Sequence, residues 1–124
     1  MQTQISRKAP RTLSRSSDQA IIIDLNKDEI KKRAFGLAMM RRSYDDYIWF
    51  WAEVELRLAQ AYQTDMKSNN GSVKIDKSKI VEKPGESEVR RLATELAAKR
   101  VKVQDIHWFI AERQYILDAA KARQ

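Results

Sequence analysis

The chain has 124 residues, with 24 Lys and Arg against 17 Asp and Glu, one His, no Cys, a net charge of +7 and a pI near 9.8. Such a length supports one domain, or two small repeated units sharing a core. Without cysteine, disulfide staples, thiolate nucleophiles and zinc sites with thiolate ligands are excluded, compaction rests on apolar contacts, and a reducing compartment is expected. No apolar run nears the roughly 18 residues that span a bilayer, and MQTQISRKAPRTLSRSS lacks the apolar core of a signal peptide. A cytoplasmic protein with no membrane association is the expectation.

Residues 1–20 read as a disordered basic tail, in which Arg7, Lys8, Arg11 and Arg15 stand among Ser, Thr and Pro with no acid before Asp18. Elsewhere the excess charge is spread. Blocks ending at 28, 66, 87 and 124 carry +2, 0, +2 and +3.

From residue 29 onward the chain contains one unit twice. Residues 29–63 align with 88–122 at a constant offset of 59 and without a gap, and twelve of the 35 pairs are identical. Ordinary composition gives roughly two or three identities by chance. They include Ala34 and Ala93, Leu37 and Leu96, Arg41 and Arg100, Asp46 and Asp105, Trp49 and Trp108, Phe50 and Phe109, Ala52 and Ala111, and Glu53 and Glu112. Upstream, Ile21-Ile22 falls over Ile80-Val81.

Each copy reads as two helices. Ile30, Ala34, Leu37 and Ala38, like Val89, Ala93, Leu96 and Ala97, recur at three- and four-residue spacing and lay an apolar stripe on an A helix. Asn26 with Glu29 forms a capping box at the first start, and Pro84, Gly85 and Ser87 mark the second. A break is expected around 43–46 and 102–105, because the apolar pattern restarts directly after an Asp. Asp46 and Asp105 are therefore the expected N-caps. The B helices are expected from Tyr47 to Asp65 and from Ile106 to Arg123, with Trp49, Ala52, Leu56 and Ala59 on one stripe, matched by Trp108, Ala111, Tyr115 and Asp118. Residues 21–65 and 80–124 are then two helical hairpins, joined by a connector at 66–79. Near that connector, Val73-Lys74-Ile75 and Ile21-Ile22-Ile23 alternate or cluster as short strands do, so strand pairing is one reading. An apolar staple, in which Ile21, Ile22, Ile80 and Val81 fold onto their own hairpins, is the reading preferred.

A two-helix unit of this size cannot bury its Trp, Phe and Leu alone, so an all-α fold is expected, the two hairpins packed as a four-helix arrangement. Sequence does not decide whether that happens within one chain or by a swap between two.

The stretches IWFWAEVEL and IHWFIAERQ resemble the B helix of a short bacterial domain of unknown function, whose hallmark is a His-Trp-Leu-x-Ala-Glu motif. His107-Trp108 with Ala111-Glu112 is the closer copy, and Trp49 with Ala52-Glu53 lacks the His. The resemblance covers about two thirds of the chain and implies tandem helical hairpins with no established chemistry.

Candidate chemistry is sparse. His107 is the single histidine, without a Ser nucleophile in any recognisable context and without a counterpart in the first copy, and reads as a helix-face residue beside Asp105. Glu53 and Glu112 suggest paired carboxylates, but the Glu-x-x-His ligands of di-metal bundles are absent. No metal, no cofactor and no enzymatic activity are expected. Ion pairs of Arg41 with Glu53 and Arg100 with Glu112 are expected to fix each hairpin. Most of the aromatic residues belong to the core, whereas Trp51, replaced by Ile110 in the second copy, is the choice for an interface aromatic. The repeated basic pairs Lys31-Lys32 and Arg90-Arg91, with the tail arginines and Lys8, form the candidate surface for an anionic partner. The expected function is a small adaptor that binds an acidic protein. The alternative is sequence-nonspecific binding of RNA or DNA through the phosphate backbone.

Overall fold

A computed structural model describes residues 20–63 and 71–123, so the tail residues Arg7, Lys8, Arg11 and Arg15 lie outside the described residues. In chain order the elements are β1 (Ala20–Asp24), α1 (Lys27–Met39), α2 (Tyr44–Leu58), β2 (Ser72–Asp76), a single 3₁₀ turn (Lys77–Lys79), α3 (Glu86–Ala98) and α4 (Val103–Ala122). The protein is mostly helical, and the internal repeat is kept in its backbone. Lys27 and Glu86, Met39 and Ala98, and Tyr44 and Val103 bound equivalent helices at the same offset of 59.

Local chemistry explains each boundary. At the start of α1 the Asn26 side chain accepts from the Glu29 N–H at 3.0 Å. At the start of α3 the Glu88 carboxylate accepts from the Gly85 N–H at 3.4 Å, which is the reciprocal half of a capping box. Both A helices end alike. The N–H groups of Met40 and Arg41, and of Lys99 and Arg100, bond back into the last turn. The chain then passes through the left-handed region at Arg41 and Arg100, both with φ of 54°. Helices commonly close this way on Gly, since a side chain there costs roughly 1–2 kcal/mol.

The B helices begin earlier than their apolar pattern suggests. Ser43, not Asp46, caps α2, its hydroxyl accepting from the Asp46 N–H at 3.0 Å. Lys102 occupies the equivalent position before α4 without a side-chain cap. Asp46 and Asp105 sit inside the first turns, where their charge answers the helix dipole instead of capping an end.

The core shows how the copies fit. Ile30 and Val89, Leu37 and Leu96, Tyr47 and Ile106, Ile48 and His107, Trp51 and Ile110, Ala52 and Ala111, Leu58 and Leu117, and Ala61 and Ala120 are equivalent pairs, and every member is buried. Two corrections follow. The buried B-helix stripe runs through 48, 51, 52 and 58, so the repeated Trp49 and Trp108 lie half-buried at its margin, and Trp51, 6 % exposed, is a core residue. The helices also pair across the copies. α1 packs along α4 and α3 along α2, α2 crosses α4 at the centre, and the two helices of one copy share little beyond their joining turn. The expected self-packed hairpins are therefore replaced by two open units clasped together within one chain. Short turns do not compel neighbours to pack when each apolar face finds more surface on the other copy.

The connector is not a bare turn. β1 pairs antiparallel with β2, Ile21 opposite Ile75 and Ile23 opposite Val73, so strand pairing replaces the staple and adds a two-stranded sheet to the all-α expectation. The far edge of β2 is met by residues 61–63, through Gln63 N–H to Lys74 O and Asp76 N–H to Ala61 O. The exposed edge of β1 is answered from α4 and the residue that caps it, Tyr115 donating to Asp24 O and the Arg123 guanidinium to Ile22 O. Blocking an edge in this way removes a template for strand addition. In the second copy the equivalent of Ile22 is Val81, whose carbonyl accepts from Arg57 at the end of α2 and whose N–H donates to Arg57 O. An arginine from the opposite copy thus holds the segment ahead of each A helix.

Candidate functional site

Three places on this frame carry polar or unpartnered chemistry. The first is the crossing of α2 and α4. Tyr47 meets the His107 ring edge-on at 4.5 Å, and Trp51 stacks on Phe109 at 5.1 Å. Glu55 accepts from the Trp51 indole N–H at 2.9 Å and from Arg113 at 3.0 Å, while Arg113 also pairs with Glu112. Burial pushes the Glu112 carboxyl up, opposed by the Arg113 charge. Tyr62 is near these charges, its hydroxyl buried without a hydrogen-bond partner, and burial raises it to about 12. His107 is 8 % exposed, its Nε2 has no partner, and burial holds its pKa below the ordinary value, so the ring is neutral near pH 7. The expected ion pairs of Arg41 with Glu53 and Arg100 with Glu112 do not form. The two arginines are carried away in the turns, and Glu112 takes Arg113 instead. Both carboxylates at this crossing are engaged by one guanidinium, an arrangement that fixes α2 on α4. Among the described residues no group of three or more His, Asp or Glu side chains is placed to hold a metal ion.

The second place is the outer face of α1. Ile30 and Leu37 turn inward, which sends Asp28, Lys31, Lys32, Phe35 and Met39 to the opposite side. Phe35 is 67 % exposed, and Met39 and Met40 are exposed after it. Asp28, Lys31, Lys32 and Phe35 border one shallow, open patch on this face. Gly36 lies on the same side, with nothing within 4 Å of where a Cβ would sit. In the second copy Phe35 is replaced by Thr94, Met39 by Ala98 and Met40 by Lys99, so the apolar face belongs to one copy alone.

The sequence-level basic pairs are separated by this fold. Lys31 and Lys32 lie on α1 against α4, and Arg90 and Arg91 on α3 against α2. All four are exposed, but Arg90 is engaged: it pairs with Glu86 at 2.7 Å and lies over the Trp49 ring at 5.8 Å. On the other side Arg33, which is not its equivalent in the repeat, pairs with Asp118 at 2.7 Å and lies over Tyr115 at 5.6 Å. The hydrogen bond to Asp118 is the main reason the Arg33 pKa rises. The Arg33–Asp118 pair and the two ring contacts each join an A helix to the other copy's B helix.

The third place is the pole where the two A-to-B turns meet. Tyr44 Oη donates to Val101 O at 2.7 Å, tying the first turn to the second. Tyr47 braces the first turn from inside, accepting from the Arg42 N–H at 3.1 Å and donating to Leu37 O. Arg41, Arg42, Lys99, Arg100 and Lys102 are thereby gathered at one end of the molecule, all exposed.

Sequence reasoning missed the exposed Phe35 and the meeting of the turns. The first had a signal, a large apolar residue off the A-helix stripe where the other copy has Thr. The second had none, because it depends on how the copies clasp. Among the described residues no helix is long and apolar enough to cross a membrane. Comparison with known protein families, with curated proteins and with solved structures finds no match to this chain.

Proposed function

We propose that this protein is a small, non-enzymatic interaction module that holds an acidic helical segment of a partner protein along the outer face of α1. The observation that carries the reading is Phe35, exposed to 67 % on a shallow patch shared with Lys31 and Lys32, where the same fold position in the second copy has Thr94. Folding gives no reason to place Phe there, since Thr94 serves the equivalent helix. A stripe of Asp28, Lys32, Phe35 and Met39 is the pattern of a helix-on-helix contact, with anchors at three- and four-residue spacing. Gly36 beside Phe35 lets a second helix approach closely. Charge selects the occupant. A second copy docked on this face would set Lys31 and Lys32 against their own kind, whereas a helix bearing Glu and Leu meets both features. The basic tail, Arg7, Lys8, Arg11 and Arg15, adds long-range attraction to the same acidic surface. In this reading the protein is a cytoplasmic adaptor built from tandem copies of a helical unit similar to the short bacterial domain named above.

The test is fluorescence anisotropy of a labelled Glu-rich amphipathic peptide with Leu at one helical face, titrated with full-length protein. Phe35→Thr, which copies the residue of the other repeat, is expected to weaken binding about tenfold or more, in line with loss of a central aromatic anchor. Lys31→Glu with Lys32→Glu is expected to slow association most at low salt. Equal affinity for wild type and Phe35→Thr would overturn the reading.

A further inference from the structure

We infer that the pole formed by the two joined turns is a second binding site, for the phosphate backbone of a nucleic acid, distinct from the α1 face. The repeat supplies its central arginines twice. Arg41 and Arg100 occupy equivalent positions, and the Tyr44 to Val101 hydrogen bond brings their turns side by side. Arg42, Lys99 and Lys102 flank them, and none of these side chains has a carboxylate partner among the described residues. Several cations elsewhere are engaged: Arg33, Arg90 and Arg113 by carboxylates, Arg57, Lys77 and Arg123 by backbone carbonyls. The cations at the pole are exposed and unspent.

Their chemistry favours phosphate over carboxylate on a protein. Arginine presents a planar fork of donors suited to phosphate oxygens, and a row of cations offered from two sides of a local two-fold suits the closely spaced charges of a polynucleotide. Exposed Tyr44 stands between the turns, where a base can stack. The acids of the first helical turns, Asp45, Asp46 and Asp105, already answer the helix dipoles, so the inference rests on the side chains of the turns and not on the helix ends. The pole offers no element that reads base edges, and binding is therefore indifferent to sequence.

The left-handed backbone provides a clean test. Arg41→Gly with Arg100→Gly removes both charges and relieves both positive-φ positions, so a structural role and a binding role move in opposite directions. The measurement is anisotropy of labelled 20-nucleotide single-stranded RNA and of a DNA duplex, against full-length protein at 50 and 200 mM salt. Wild type is expected to bind both, with a steep loss of affinity between the two salt concentrations. The double variant is expected to melt higher, to bind at least tenfold more weakly at 50 mM salt, and to show a salt slope smaller by about 2. Phe35→Thr is expected to leave this binding unchanged, which separates this site from the α1 reading. No binding at 50 mM salt, or binding whose strength and slope survive the double variant, overturns the inference. So does a double variant that loses the acidic peptide while keeping nucleic acid.

Discussion

The two copies of the repeat share a helix-turn-helix backbone and do different things with it. The starts of all four helices, the ends of the A helices, the left-handed turn and eight pairs of buried residues coincide at an offset of 59. Yet Ile48 is replaced by His107, Tyr47 by Ile106, Trp51 by Ile110 and Phe35 by Thr94. In a duplicated fold each copy is a control for the other. Where equivalent residues share apolar character, the frame explains them, and where one copy departs from that need, a specific role is indicated. By this standard Phe35 stands out as a surface feature and His107 as a buried anomaly.

The largest expected effects test the shared frame. Leu58→Ala and Leu117→Ala each truncate a buried equivalent leucine and are expected to cost about 2–5 kcal/mol, Leu58 more because it is the more enclosed. Because each A helix rests on the opposite copy, either substitution is expected to lower one shared unfolding transition, followed by circular dichroism. A second, unshifted transition would show that the copies fold separately.

His107→Ile restores the apolar character of the first copy. It is expected to stabilise the protein by about 1–3 kcal/mol, because a buried nitrogen without a partner is removed. The pH dependence follows from the lowered His107 pKa. The folded state binds this proton less readily than the unfolded chain, so stability is complete above the ordinary histidine pKa of about 6.5 and falls as pH drops toward the depressed folded value. Urea unfolding between pH 7.5 and 5 is expected to show this loss in wild type, with a smaller slope in His107→Ile.

Smaller effects are expected at the surface. Arg41→Gly and Arg100→Gly should each stabilise by about 1 kcal/mol through relief of the positive φ, equally in the two copies. Gly36→Ala should add about 0.5–1 kcal/mol in thermal melting, since a methyl group meets nothing there, while weakening the acidic peptide by crowding the α1 face. Phe35→Thr is expected to change stability by less than about 0.5 kcal/mol.

Much of this frame was legible in the sequence. The constant offset exposed the duplication, the three- and four-residue spacing of Ile30, Ala34 and Leu37 placed the A helices, and Asn26 with Glu29 marked the first start. What failed did so for physical reasons. Asp46 looked like a cap because the apolar pattern resumes after it, but Ser43, three residues earlier, supplies the hydroxyl. Trp51 looked like a departure from the repeat, though indole and isoleucine fill the same buried position against the partner helix. The turns hid their left-handed residues because Arg, not Gly, occupies them. Strand pairing was ambiguous because Ile21-Ile22-Ile23 and Val73-Lys74-Ile75 are too short for periodicity to decide. The candidate site was less legible than the fold: exposure of Phe35 and convergence of the turns are properties of the clasp, which no local pattern encodes.

The clasp turns the α1 face outward and brings both turns to one pole. The direct measurement is an NMR experiment that records through-space contacts between assigned side chains, with a mixture of labelled and unlabelled protein to separate contacts within a chain from those between chains. Intrachain cross-peaks are expected between Arg90 and the Trp49 indole and between Arg33 and the Tyr115 ring. Cross-peaks joining Arg90 to Trp108 or Arg33 to Leu56 instead, each A helix folded on its own B helix, would contradict the clasp.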